Sequence, residues 1–366
     1  LLFSYIINNK QYIEFALKIV DFVLPKFIEK NGFFKFCSSH YQLIFSRWII
    51  DINFFSEKKY INNVCKKVLS ACEFFDQKNI NKNFNIPFFG NISPDFKPFW
   101  ILNFINQEKK LKDFIYQYWK HYNNNKQFKL DKCKGSNEWI KKVKNNLTIF
   151  SRNPKIYGFD FNHSHNDFFH FVLYFKKNPI IIDLGKPNYS QESHNTYSSG
   201  KLHNSIIINK HATFDDYLPN KIKTKLGLKN INNLIYKVIN NKNKIICSSK
   251  NNNEYFHREL IINKNKIIIN NKIKLKNFKD IDLPFFFHSS IKIKKNKKNY
   301  YEINNNKFKA TINSFNKNIT SSSIKNLNKS KIYSLNGYGD KLSTKSINFY
   351  VKKVKNLDLS IEINFY

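Results

Sequence analysis

Apolar residues recur at helical spacing through the first third of the chain and in short strand-like runs through the rest. Tyr12, Phe15, Ala16, Ile19, Val20, Phe22 and Val23 form a wide stripe that predicts a helix ending before Pro25. A second helix is predicted over Tyr41 to Phe55, with Leu43, Ile44, Trp48, Ile49 and Ile50 as its apolar positions, a third from about Lys59 to Phe75, and more helix over Phe99 to Tyr122. Asn85 to Gly90 and Ser93-Pro94-Asp95 read as loop. After about residue 143 the pattern changes. Phe168 to Phe175, Pro179 to Leu184, Asn204 to Ile208, Lys244 to Ser248, Glu259 to Ile262, Lys266 to Leu275 and Leu357 to Phe365 are Ile/Val/Phe/Tyr runs separated by Asn/Lys/Gly turns. Strands at this spacing with no helical periods between them predict an antiparallel sandwich. The low-complexity segments Lys294 to Asn299 and Asn304 to Asn306 read as hairpin turns.

Composition changes this picture little. The 366 residues are 42% hydrophobic and 17% aromatic, enough for a real core. The net charge of +36 invites a polyanionic partner. Nearly all of the excess is Lys, since Arg occurs only at Arg47, Arg152 and Arg258. It accompanies abundant Asn, Ile, Phe and Tyr, residues that share A/T-rich codons, so a biased genome accounts for it without a partner. Nucleic-acid recognition leans on Arg, and the chain shows no recognition helix, RNP-type motif or basic-aromatic stripe, so no nucleic-acid partner is expected. No apolar run reaches the roughly 20 residues that a membrane-spanning helix requires. Five Cys without CxxC spacing indicate neither a disulfide framework nor a thiolate metal site. The chain has no Met and begins Leu1-Leu2-Phe3-Ser4, as a fragment or processed product would.

The densest polar signal is Asn162-His163-Ser164-His165-Asn166-Asp167, which leads into an aromatic run containing His170. Strand alternation would put His163, His165 and Asp167 on one side. Asn178-Pro179 turns the chain back into Ile180-Ile181-Ile182-Asp183-Leu184-Gly185, and a further His stands at Leu202-His203-Asn204-Ser205. Two imidazoles and a carboxylate from neighbouring strands, with a fourth position for water, would make a divalent-metal site suited to zinc. A simple hairpin about residues 176 to 178 places His170, not His165, opposite Asp183, so spacing leaves the ligand set open.

The ordered set of these motifs resembles the heparinase II/III-like family, which carries an H-x-H-x-D segment, a hairpin ending in a D-x-G-like turn and an A-H-N-T-like segment. Asn31-Gly32-Phe33-Phe34 followed by Ser38-Ser39-His40-Tyr41-Gln42 is similar to the family's D-G-G…S-P-x-Y-H run, and His257-Arg258-Glu259-Leu260 and Phe287-His288 resemble its β-domain strands. The resemblance implies an α+β multidomain chain: the C-terminal part of an α/α toroid at residues 1–143, an antiparallel β-sandwich at 144–366, and a cleft between them. It implies metal ligands His165, Asp183 and His203, with His163 facing the cleft and Tyr41 as general acid/base, His40 being the alternative. The implied activity is β-elimination in a uronic-acid-containing glycan, in the periplasm or at the cell surface. A non-catalytic glycan-binding or polysaccharide-processing accessory protein with the same fold is the alternative. Three departures stand out. The family's upstream Asn-His pair has no counterpart after Leu1, Lys201 stands where an Arg is usual, and Gln42 where a His is common.

Overall fold

The computed structural model describes residues 8–35, 38–56, 58–77, 86–91, 133–136, 138–153, 163, 165–186, 188, 190, 192, 196–213, 235–251, 253–335 and 341–366. The helix expected over Phe99 to Tyr122 and the loop at Ser93 to Asp95 lie outside them. The chain divides into two compact units, Leu1–Ser136 with Phe159–Ser164, and Asn137–Gly158 with His165–Tyr366.

Three helices build the described part of the first unit: α1 (Lys10–Phe27), α2 (Ser39–Ser56) and α3 (Lys59–Phe75). The Asn9 side chain caps α1 by accepting from Tyr12 N–H at 3.1 Å. The helix does not stop before Pro25 as expected; Pro25 lies inside it, and Ile28 N–H still closes on the Leu24 carbonyl at 3.0 Å. So near the end, the proline removes one intrahelical bond and no more. The stripe that predicts α1 is its outward side, with Phe15 64% and Phe22 65% exposed. The core lies instead under α3, where Ile61, Cys65, Val68, Leu69 and Cys72 are buried. Phe33 meets Phe74 and Phe75 edge-on at 5.3 and 5.9 Å. That approach requires glycine at Gly32, which has φ +91° and whose absent Cβ would fall 2.2 Å from the Lys67 carbonyl. Gln42 holds the same turn, accepting from Phe34 N–H at 2.8 Å and donating to the Gly32 carbonyl at 3.0 Å.

The second unit is antiparallel throughout its described strands. Its first strands are β1 (Trp139–Lys144) and β2 (Leu147–Arg152), so the sheet starts ahead of the expected boundary at 143/144. β3 (Phe171–Phe175) and β4 (Asn178–Ile181) follow, and later β5 (Glu254–Ile262), β6 (Lys266–Phe287) and β7 (Lys345–Phe365). The two long strands β6 and β7 pair along their length except at a bulge around Lys274 to Lys279. One end of β6 pairs β5 and the other pairs β4, so one long strand joins both parts of the sheet. Inward residues Ile267, Ile269, Ile273, Leu283, Phe285, Leu359 and Ile361 join one core with Leu147, Ile149 and Leu173. Lys294 to Lys297, expected as a turn, belongs to a strand (Lys292–Lys297) that pairs with Tyr300–Asn305. Its lysines face solvent on an edge, so a strand survives there without apolar alternation.

Candidate functional site

The residues singled out in the sequence fall into two groups, one in each unit. In the helical unit Ser38 starts α2, and its hydroxyl accepts from Tyr41 N–H at 3.2 Å. Its hydroxyl also donates to the Asn91 carbonyl at 2.7 Å, while Ser39 Oγ accepts from Phe89 N–H at 3.0 Å. These bonds tie the loop at 86–91 to the start of α2. Asn91 then holds His163 twice: its N–H donates to the His163 carbonyl at 2.8 Å, and its Nδ2 lies 3.3 Å from His163 Nδ1. The His163 ring stacks on Tyr41 with centroids 3.8 Å apart and planes 17° from parallel. Both rings are half-buried. An amide nitrogen only donates, so Nδ1 is the acceptor and the neutral ring carries its proton on Nε2. His40 is different. It is 1% exposed and burial pulls its pKa down to about 3, which makes it a neutral core imidazole.

The second group is buried in the β unit. Residues 165–167 are not a strand, and His163, His165 and Asp167 do not share a face as alternation suggested. Asp167 turns to Arg152 instead, at 3.0 and 3.3 Å, with both side chains fully buried. His165 goes with Asp183 and His203, and the three offer one donor atom each within 4.8 Å of one another. Asp183 Oδ1 accepts from Gly185 N–H at 2.8 Å. Its Oδ2 faces His203 Nδ1 at 3.1 Å and His170 Nε2 at 3.2 Å. Burial would raise the Asp183 pKa, but His203 and His170 outweigh it and hold the carboxyl well below the ordinary range. Burial lowers the His170 pKa against the pull of Asp183. Two imidazoles and an ionised carboxylate, closed off from water, fit a divalent ion by donor type. The 3.1 Å between Asp183 and His203 is close to the roughly 3.4 Å spacing of ligand atoms bound at about 2.1 Å around a tetrahedral zinc.

Two arginines, Arg152 and Arg258, given no role in the site by sequence alone, hold the loops of this cluster. Arg258, fully buried, donates from Nη1 to the carbonyls of Phe169 at 3.0 Å and Asn204 at 2.5 Å, from Nη2 to Ser205 at 3.4 Å and from Nε to Asn271 Oδ1 at 2.8 Å. It thereby joins the loop before His170 to the loop after His203. Phe169 sits in the left-handed region at φ +60°, which a bulky residue adopts only when its surroundings enforce it. Arg258 on its carbonyl and Tyr236 Oη on its N–H, at 3.0 Å, enforce it. Gly200 completes the packing. A Cβ there would lie 2.6 Å from Ala212 Cβ and 3.0 Å from the Asn166 carbonyl. The signal for the arginines was in the sequence: where bias has left Lys in nearly every basic position, two of only three Arg are the buried forks around one site.

A chain with this sandwich and this ordered His, Asp and His set falls in the class of heparinase-like folds. Residues 140–355 match the family described as heparinase II/III-like, C-terminal, and the chain belongs to that family. No curated protein sequence matches it. Among solved structures it is similar to heparan sulfate lyase HepC from Pedobacter heparinus, with TM-score 0.68 and 14% identity over 95% of this chain and 55% of that one. A heparinase III gene product with methylated lysines gives TM-score 0.67 and 13% identity over 95% of this chain and 54% of that one. The chain thus spans about half the length of these structures, and at such identity they speak for the fold. No described helix is long and apolar enough to cross a membrane.

Proposed function

We propose that the protein is a polysaccharide lyase that cleaves a uronic-acid-containing glycan by β-elimination, with Tyr41 as the proton-transfer residue and His163 as its partner. The observation that carries this reading is the half-buried Tyr41–His163 stack, 3.8 Å between centroids, in a chain of this family. Tyr41 Oη, as phenolate, takes the C5 proton. The C–H electrons form the C4=C5 double bond, the C4–O bond breaks with its pair on the leaving oxygen, and the phenol returns the proton to that oxygen. The developing enolate needs a hydrogen-bond donor, and His163, with Nδ1 facing the Asn91 amide and Nε2 left to donate, suits that task better than proton removal. The substrate class follows from the name of the similar structure, a heparan sulfate lyase, and from the need for a uronate carboxylate beside C5.

His165, Asp183 and His203 would hold a zinc ion, which would supply a fixed positive charge that orders its ligands and the chain around them. The helical unit is read as part of an α/α toroid, and the periplasm or cell surface as the location, on the family alone. The test is incubation of the full-length protein with a panel of uronate glycans. Unsaturated-uronide absorbance supports the lyase. Binding without cleavage would make it a glycan-binding accessory protein instead. His163→Gln, which keeps a donor, should retain more turnover than His163→Ala; equal loss would return His163 to the role of base.

A further inference from the structure

We propose that His170 is a positioning residue for the metal cluster: it holds no ion itself but fixes the carboxylate of Asp183. The inference rests on the metal reading above. His170 lies close enough to Asp183 to be taken for a ligand, as hairpin arithmetic suggested, yet its lone pair is already used. Its Nδ1 accepts from Asn204 N–H at 2.9 Å, so in the neutral ring Nε2 bears the proton and has none to offer an ion. Nε2 lies 3.2 Å from Asp183 Oδ2, with both side chains fully buried.

Asn204 is itself immobilised. Its Nδ2 donates to the carbonyls of Phe171 and Ile182, each at 2.9 Å, and its Oδ1 accepts from Phe286 N–H at 2.7 Å. One side chain therefore binds three strands, and its backbone N–H sets the tautomer of His170. Asp183 then has Gly185 N–H bonded to Oδ1 and the His170 ring packed beside Oδ2, which together favour one orientation. Outer partners of this kind fix a ligand's direction and basicity, and removing one typically weakens metal binding about 10- to 100-fold.

X-ray absorption fine structure of the wild-type protein loaded with Zn²⁺ counts bound imidazoles without any variant. Two imidazoles are expected, and three would overturn the proposal while leaving the metal reading intact. Chelator competition should show Zn²⁺ affinity lower by about 10- to 100-fold in His170→Ala. His170→Gln, which can still donate, should recover part of it, and both should keep two imidazoles. An unchanged affinity in folded His170→Ala overturns it too. Failure of the wild type to take up Zn²⁺ sinks the metal reading together with this inference.

Discussion

The two groups of site residues are held in opposite ways. The cluster of His165, Asp183 and His203 is sealed from water and fixed by many bonds: Arg258 spans its two loops, Asn204 binds three strands, and Gly200 admits the Asn166 backbone. Tyr41 and His163 are half-buried and stack on each other, with Phe45 beside Tyr41 and Asn91 bonded to His163. Chemistry on a polymer needs groups that solvent and substrate can reach, whereas a brace needs a carboxylate and imidazoles that cannot move. The buried cluster is therefore read as support and the stacked pair as the reacting groups, and one residue of chain, Ser164, separates His163 from His165.

The buried cluster depends most on Arg258. Arg258→Met would leave the carbonyls of Phe169, Asn204 and Ser205 and the Asn271 amide oxygen without their buried donor, and denaturation should show a loss of roughly 3–5 kcal/mol. A loss below 1 kcal/mol would mean that the loops stand without it. Tyr41→Phe goes to the other side of the contrast. It should lower turnover by about 100-fold or more while stability and bound metal stay as in the wild type. Gly200→Ala should cost about 1–3 kcal/mol and weaken metal uptake, because the added methyl meets Ala212 and the Asn166 backbone, neither of which is a flexible side-chain end.

The smallest expected effect separates His40 from its neighbour Tyr41. His40 is neutral when folded, with a pKa of about 3 against 6.5 when unfolded, so the unfolded chain binds more protons between those values. Stability should fall as pH drops below about 6.5, by about 1 kcal/mol at pH 6. His40→Asn should reduce that slope by His40's share, as urea titrations at pH 8 and pH 6 would show. A slope undiminished in His40→Asn would assign the acid sensitivity to other groups.

Much of this was legible in the sequence, and what was not has local causes. The helix over Lys59–Phe75 follows its apolar period, and the Leu357 to Phe365 strand shows its alternation. The pattern missed that Lys266–Leu275 continues to Phe287, because Lys276, Asn277 and Phe278 break the alternation where the strand bulges between layers. Alternation also misled at Asp167. It assumes an extended strand, but the chain at 165–170 is bent through Phe169 at positive φ, and Asp167 is drawn to Arg152. His165, Asp183 and His203 come together as the resemblance implied, and the arithmetic that favoured His170 also found a real neighbour of Asp183. Neither could tell that the Nδ1 lone pair of His170 is taken, since that depends on the Asn204 backbone N–H, contributed from 34 residues along the chain.

In the proposed reading Tyr41 carries out an elimination that the buried cluster only supports. The direct measurement is the rate of unsaturated-uronide absorbance on the best glycan of a panel, for wild type and Tyr41→Phe at equal metal content. The account predicts a steady rise for the wild type and almost none for Tyr41→Phe. A Tyr41→Phe rate equal to that of the wild type, or no rise with any glycan, would contradict it.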